Sequence, residues 1–356
     1  GDTTMAFDVN STYTMLQAIE QAYAPNTFFR DTFFPNVETF TTNYVLMDIQ
    51  KGGRPLAPFV SRNGNTVNMQ REGRKTNMYE PPILAPSRTI NTKDVEMRGL
   101  GESIVSTKTP AERAMELRTR DLVDLQDMIV RRHEWECAQA MLFGKFDITG
   151  YAANGTAVVT DTVTYTDFTQ KKTLSGADMW SNPTTATPRD VLQEAYQAIS
   201  QNANLLPDYV VMNSKTATAL LKCKQTQDFL LRPQANLNLM SIAPKVLSTS
   251  VTLFGVITEL GNLPIYVYDA VYTDDAGTAQ HFIPDGYVVM GISGRGKQLF
   301  AAITQLEGNG EFKTYASAFV PKVWDDIESN TKKLAVSSAM LPVPATYDDW
   351  YTLKVM

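Results

Sequence analysis

Two cysteines and two histidines are all that 356 residues provide, and this scarcity removes whole classes of chemistry. Cys137 and Cys223 have no framework spacing and read as free thiols of a reducing compartment. With His133 and His281 alone, a Ser-His-Asp or Cys-His arrangement has little to draw on. His133 and Cys137 stand one helical turn apart and could converge on an ion. A zinc site needs three or four ligands, however, and His281 and Cys223 are the only others of those types. A polar helix flank is the simpler reading of His133-Glu134-Trp135-Glu136-Cys137. No apolar run approaches the roughly 18 residues that a membrane span requires, and no signal-peptide pattern stands at Gly1, so the expectation is a protein folded in a cytosol. A net charge of −6 argues against a dedicated nucleic-acid binder, which needs surplus Lys and Arg to neutralise phosphates.

What is present is an ordinary globular composition, 43% hydrophobic and 20% charged, long enough for two cores or more. Its charge is uneven. The stretch Lys51–Arg98 carries nine Lys/Arg against four Asp/Glu, which leaves about −11 on the rest. The same stretch holds five prolines and four glycines and shows no helical period. Non-helical segments of this length inside a compact domain are usually functional or disordered. Its charge suits electrostatic contact with acidic surfaces; a solvated loop kept soluble by its charges is the other reading.

Ahead of this stretch, Ser11 or Thr12 can cap a short helix bearing Met15, Leu16, Ile19 and Tyr23 on one face. The run Phe28-Phe29-Arg30-Asp31-Thr32-Phe33-Phe34-Pro35 follows. Four rings this close together must be buried, either on their own domain or on a partner. Asn63-Gly64 is a type I′ turn signal, so the basic stretch folds back as a long hairpin. Pro81, Pro82 and Pro86 keep the returning strand at an edge.

Thr109-Pro110 with Glu112 is a capping box with proline at the first helical position. The next breaker is Gly144, which predicts one helix over 110–143, about 50 Å long. Leu122, Leu125, Ile129, Met128, Trp135 and Leu142 supply its apolar positions; Arg118, Arg120, Asp121, Asp124, Arg131, Arg132 and Glu134 supply its wet face. Ala157–Thr160 is expected to pair with Val163–Thr166. Helices over 188–202 and 214–224 then alternate with strands at Tyr209–Met212, 251–258, 263–268 and Tyr287–Met290, with a hairpin turn at Asp274–Gly277. That alternation indicates an α/β unit over 185–292. Strands near 298–305, 312–319 and 333–341 follow, with the long helix as their obvious packing partner. The α/β unit is thus expected as an insertion into a discontinuous α+β domain.

Gly291-Ile292-Ser293-Gly294-Arg295-Gly296-Lys297 is one residue short of a nucleotide-binding loop. Gln298 stands where a Ser or Thr should ligate magnesium, and Gln298–Gln305 reads as a strand where a helix should hold the phosphates. A Gly-rich crossover between domains is preferred to an NTP-binding enzyme. Asp325-Asp326 and Asp348-Asp349 fit turns and caps. The chain is therefore expected not to be an enzyme and to need no cofactor or metal.

The order of these elements, with several local stretches, resembles the major capsid proteins of tailed bacteriophages. The likeness is to their lambda E-type branch, built on the Hong Kong-type capsid fold shared with herpesviruses and encapsulins. The stretches are Phe28–Pro35, Phe59-Val60-Ser61 leading to Gln70-Arg71-Glu72-Gly73-Arg74, Asn204–Asn213, Phe282-Ile283-Pro284-Asp285, Tyr315–Trp324 and Ser338-Ala339-Met340-Leu341-Pro342. The likeness covers nearly the whole chain, and its weight lies in their order.

The resemblance implies an α+β capsid fold: an N-terminal arm (1–44), an extended E-loop hairpin (45–98), a peripheral domain in two parts (99–184, with the spine helix 110–143, and 293–356), and an axial α/β domain (185–292). It implies pentamers and hexamers in a closed icosahedral shell around double-stranded DNA, assembled in the host bacterial cytoplasm and retained in the virion. Scaffolding protein, a portal and a decoration protein at three-fold sites are the implied partners. Arg54, Arg62, Arg71, Glu72, Arg74 and Lys75 would make the E-loop's inter-subunit contacts, and Phe28, Phe29, Phe33 and Phe34 those of the arm. An encapsulin-type shell without a genome is the alternative within the fold.

Overall fold

Two aromatic and aliphatic cores lie on opposite faces of one seven-stranded sheet. The computed structural model describes residues 27–49, 75–96, 109–151, 157–165, 168–230, 240–307 and 310–356. In chain order its elements begin with α1 (Phe29–Phe33), β1 (Asn36–Thr39), β2 (Val45–Ile49), β3 (Lys75–Tyr79), β4 (Ser87–Asn91), α2 (Thr92–Glu96) and the spine helix α3 (Pro110–Phe143). Next come β5 (Lys145–Tyr151), β6 (Ala157–Thr164), β7 (Lys171–Thr173), α4 (Pro188–Ala203), β8 (Tyr209–Met212), α5 (Ser214–Lys222), α6 (Lys224–Leu230), β9 (Ser241–Val246), β10 (Val251–Ile257) and β11 (Leu263–Tyr268). The chain closes with β12 (Val271–Thr273), β13 (Ala279–His281), β14 (Tyr287–Gly291), β15 (Lys297–Phe300), β16 (Ile303–Leu306), β17 (Phe312–Tyr315), β18 (Val320–Asp326), β19 (Thr331–Ser337), β20 (Met340–Val343) and β21 (Trp350–Lys354).

The spine helix starts and stops where its end signals require. Thr109 Oγ1 accepts the Glu112 N–H, and Glu112 Oε2 accepts the Thr109 N–H at 2.7 Å. Gly144 ends it in the left-handed region at φ 68°. A Cβ there would lie 2.6 Å from the Phe168 ring, so glycine is required twice over. Burial along the helix is graded. Its first three turns expose every residue at least partly, its middle buries Leu122, Leu125 and Ile129 against Leu334 and Val336 of β19, and its last turns are buried nearly all round. That last part overturns the expected wet face at Glu134, which is 1% exposed, while Met128, expected inside, is 43% exposed.

The main sheet runs β7-β21-β14-β8-β11-β10-β9, with β8–β11 and β21–β7 parallel and the other pairs antiparallel. Successive residues of a strand face opposite ways. Val210 and Met212 of β8 and Val288 and Met290 of β14 join a core with Leu192, Ala195 and Ile199 of α4 and Leu220 of α5. Val211 and Val289, between them, join the core made by the end of the spine helix and the four arm phenylalanines. Burial on both faces explains why these strands read as continuous apolar runs.

Four local expectations differ from the structure. The segment Ala157–Thr164 pairs with Lys145–Tyr151, not with 163–166, because β5 leaves Gly144 already extended and supplies the nearer edge. The helix expected over 214–224 is two helices broken at extended Cys223. The stretch read as wholly non-helical contains α2, where Asp94 accepts the Asn91 N–H. The seven-stranded sheet reaches beyond 185–292, recruiting Lys171–Thr173 and Trp350–Lys354 because β14 needs a hydrogen-bonding neighbour on its outer side.

Candidate assembly surfaces

The arm is docked by a carboxylate. Glu134 Oε1 accepts the N–H groups of Phe28 (2.9 Å) and Phe29 (2.8 Å) and the Tyr268 hydroxyl (3.0 Å), while Oε2 accepts the Arg30 N–H (2.8 Å). These N–H groups belong to the start of α1, where no intrahelical acceptor exists. Burial pushes the Glu134 carboxyl up, and the four donated bonds pull it back. The rings of Phe28 and Phe29 then meet Tyr268, and those of Phe28 and Phe33 meet Tyr209.

The glycine-rich crossover is the other half of the dock. Gly294 and Gly296 donate their N–H groups to Thr32 and Phe33 carbonyls at 2.8 and 2.7 Å. Asn36 Nδ2 donates to both Gly294 and Gly296 carbonyls, and Gln298 Nε2 donates to the Phe34 carbonyl at 2.6 Å. A Cβ on Gly296 would lie 2.3 Å from the Phe34 ring and 2.6 Å from the Phe33 carbonyl. The space that a phosphate would need is therefore filled by the arm, and the chain after Lys297 continues as β15, a strand. Beyond the dock, β1 pairs in parallel with β15, and β15 pairs with β20.

Phe28, Phe29, Phe33 and Phe34 are 7%, 0%, 3% and 2% exposed. The four rings expected as arm contacts are packed within this subunit, docked by Glu134 and Gly296.

The hairpin has a described root. Val45–Ile49 and Lys75–Tyr79 pair antiparallel, Val45 opposite Tyr79 and Ile49 opposite Lys75. Val45 is fully buried, and Tyr79 donates its hydroxyl to Asp161 Oδ2 at 2.8 Å. The next pair, Leu46 and Met78, is 48% and 66% exposed. Arg54, Arg62, Arg71, Glu72, Arg74 and the expected Asn63-Gly64 turn lie outside the described residues, as does the expected helix near 12–24; Lys75 is the first residue of β3. A second apolar surface surrounds a groove of about 500 Å³ lined by Ile83, Leu306, Phe312 and Trp324, of which Phe312 is 75% exposed.

His133 and Cys137 are core residues. His133 Nε2 lies 3.2 Å from Ser338 Oγ between the Phe300 and Phe319 rings, and burial, helped by the charge of Arg30, pushes its imidazole down to about 3. Burial likewise pushes the Cys137 thiol up, the direction that makes a thiol inert. Among the described residues no group of three or more His, Cys, Asp or Glu side chains is arranged to hold a metal ion. Reading from sequence missed Glu134 as an organiser. Its neighbours Val130, Cys137, Ala138 and Met141, at helical spacings of three, four and seven, were the signal that placed it on the buried stripe.

A docked aromatic arm, a long capped spine helix and a mixed sheet covered on both faces make up the subunit. The chain belongs to the phage major capsid protein E family, whose model matches residues 11–355. It is 25% identical to the major capsid protein of Escherichia phage lambda over 97% of this chain and 98% of that protein. The major capsid protein of Enterobacteria phage P21 is 24% identical over the same shares. In structure it is similar to the prophage capsid protein of Escherichia coli CFT073, with a TM-score of 0.66 at 22% identity, covering 97% of this chain and 99% of that one. It is also similar to a phage-related protein of Bordetella bronchiseptica RB50, with a TM-score of 0.54 at 13% identity over 96% of each chain. The mixed helix-and-sheet architecture is that of the phage capsid fold.

Proposed function

We propose that this chain is the shell-building subunit of a tailed-phage head, many copies of which close into an icosahedral particle around double-stranded DNA. The observation that carries this reading is the family match over residues 11–355, and the antiparallel pair β2–β3, whose connecting residues 50–74 carry five Lys/Arg against one Glu, supports it. In this reading Arg54, Arg62, Arg71 and Arg74, with Glu72 and Lys75, meet the acidic surface of an adjacent copy, Arg favouring bidentate pairing with carboxylates. Residues 45–98 then form the clamp, 1–44 the arm, 99–184 and 293–356 the peripheral domain, and 185–292, with β7 and β21 added to its sheet, the axial domain around pentamer and hexamer axes. Scaffolding protein, a portal and a three-fold decoration protein complete the assembly in the host cytoplasm, and the subunit performs no catalysis.

Electron microscopy of the expressed full chain tests this: closed shells are expected, and a protein that stays monomeric under assembly conditions overturns it. Particles purified from phage lysates should hold nuclease-protected DNA; shells with protein cargo and no DNA would instead indicate a cellular compartment. Arg71→Glu with Arg74→Glu should impair shell formation while leaving the melting temperature of the unassembled subunit unchanged.

A further inference from the structure

An isoleucine stands almost free at the tip of a hairpin. Ile327, in the turn that joins β18 to β19, is 92% exposed, the most exposed large apolar side chain among the described residues. The turn is closed by its own bonds. Ser329 donates its N–H to Asp326 Oδ1 at 3.3 Å, and Asn330, in the left-handed region at φ 50°, donates its N–H to the Ile327 carbonyl at 3.4 Å. Asp326 pairs with Lys333 at 3.3 Å and Asp325 with Lys332 at 3.2 Å, which ties the two strands together just below the tip. A polar framework thus presents an apolar side chain, and its ordering is complete before any partner arrives.

The sheet that bears this knob also bears a hole. The groove of about 500 Å³ is lined by residues of β18, β19 and β4 on one side and of the β16–β17 hairpin on the other. Exposed Leu306 and Phe312, opposite each other on that hairpin, stand at it with Ile83 and Trp324, while the small pair Ala335 and Ser87 leaves it open. Ile327 does not fill the groove of its own subunit, since almost all of its surface is bare.

Charge selects the occupant. Among the described residues, Lys322 is the only charged one lining the groove, its Nζ 5.6 Å from the centre of the Trp324 ring. A basic segment such as 50–74 is therefore disfavoured there, and an acidic one is favoured. Residues 325–330 hold three acidic side chains and no basic one. The ion pairs to Lys332 and Lys333 engage Asp325 and Asp326, which leaves exposed Glu328 beside the knob. We propose that the Ile327 turn of one copy inserts into this groove of a second copy, with Glu328 at the rim against Lys322. This contact presupposes the shell-building role proposed above and names two surfaces by which copies meet; Ile327 supplies its apolar anchor and the charge pair its specificity.

Light scattering from the full-length chain under assembly conditions tests this by reading the concentration at which shells first form. Ile327→Ser and Phe312→Ser should each raise that concentration by at least about tenfold. The melting temperature of the unassembled subunit should stay unchanged, because both side chains are exposed. Glu328→Lys and Lys322→Glu should each raise the threshold about threefold or more. An equal mixture of these two charge variants should recover assembly: the reversed turn of one meets the reversed groove of the other, and unreversed turn meets unreversed groove. No single subunit in that mixture carries both reversals, so recovery reports a contact between copies. Unchanged assembly of Ile327→Ser, or no recovery in the mixture, overturns the contact and leaves the shell-building role standing. Loss of assembly in Phe312→Ser but not in Ile327→Ser gives the groove to another occupant and likewise overturns it. A wild-type chain that forms no shells overturns both.

Discussion

Tyr268 donates its hydroxyl to Glu134 at 3.0 Å, and the same oxygen takes the N–H groups of Phe28 and Phe29. One carboxylate thus joins three segments far apart in the chain: the arm, the spine helix and strand β11 of the seven-stranded sheet. Burying a charge without partners is expensive, but four donors satisfy this one. The donors in turn depend on it, since the first N–H groups of α1 have no acceptor inside their own helix.

Removing that acceptor should therefore be severe. Glu134→Ala leaves three buried N–H groups and a tyrosine hydroxyl unpaired and is expected to cost about 3–5 kcal/mol. Glu134→Gln, which keeps the shape and one accepting oxygen, is expected to cost about 1–3 kcal/mol. Urea denaturation of the unassembled subunit measures both, and limited proteolysis should show new cleavage near Phe28–Phe34 in the alanine variant first.

Gly296 is the steric counterpart of Glu134. Because a Cβ would overlap the Phe34 ring and the Phe33 carbonyl, Gly296→Ala must displace the arm or the crossover, at about 1–3 kcal/mol. Gly294, with no atom within 4 Å of its would-be Cβ but a φ of 75°, should lose less on the same change. A smaller drop in melting temperature for Gly294→Ala than for Gly296→Ala distinguishes overlap from backbone strain.

Long, strongly signalled elements were legible in the sequence: both ends of the spine helix and the strand Tyr209–Met212 stand where local chemistry places them, whereas the strand expected over 298–305 is two, β15 and β16, in different sheets. What could not be read was partnership across the chain. The residues 157–164 look equally able to pair forward or backward, and only the position of β5 decides. Nothing local to Trp350–Lys354 says that it closes the sheet of the inserted unit beside β14. The glycine-rich crossover invites a ligand reading until Phe33 and Phe34, some 260 residues earlier in the chain, are seen to occupy it.

Two buried groups shape the dependence of subunit stability on pH in opposite directions. His133 is held down to about 3 by burial, so below its ordinary value near 6.5 the unfolded chain takes up a proton that the folded one refuses, and stability falls toward acid. Glu136, held up to about 8, keeps its proton in the folded chain, so stability rises as pH falls from about 8 toward 4.5. Where both operate, between about 4.5 and 6.5, they cancel. Denaturation midpoints should therefore form a plateau there and decline on either side, by about 2 kcal/mol between pH 6.5 and 8. Glu136→Gln should flatten the alkaline limb alone, and His133→Gln the acid contribution between about 3 and 6.5.

Leu46 and Met78 face each other across the hairpin root and remain 48% and 66% exposed, although Val45 beside them is fully buried. A cross-strand apolar pair gains from being covered, and under the proposed clamp an adjacent copy would supply that cover. Leu46→Ser with Met78→Ser should change the stability of the unassembled subunit by less than about 1 kcal/mol, because little is buried there to lose. The same pair of changes should raise the protein concentration at which shells first form, measured by light scattering. If assembly is unaffected while Arg71→Glu with Arg74→Glu blocks it, the clamp is electrostatic and its root makes no inter-subunit contact. If both lose assembly, the apolar root and the basic stretch grip the neighbour together.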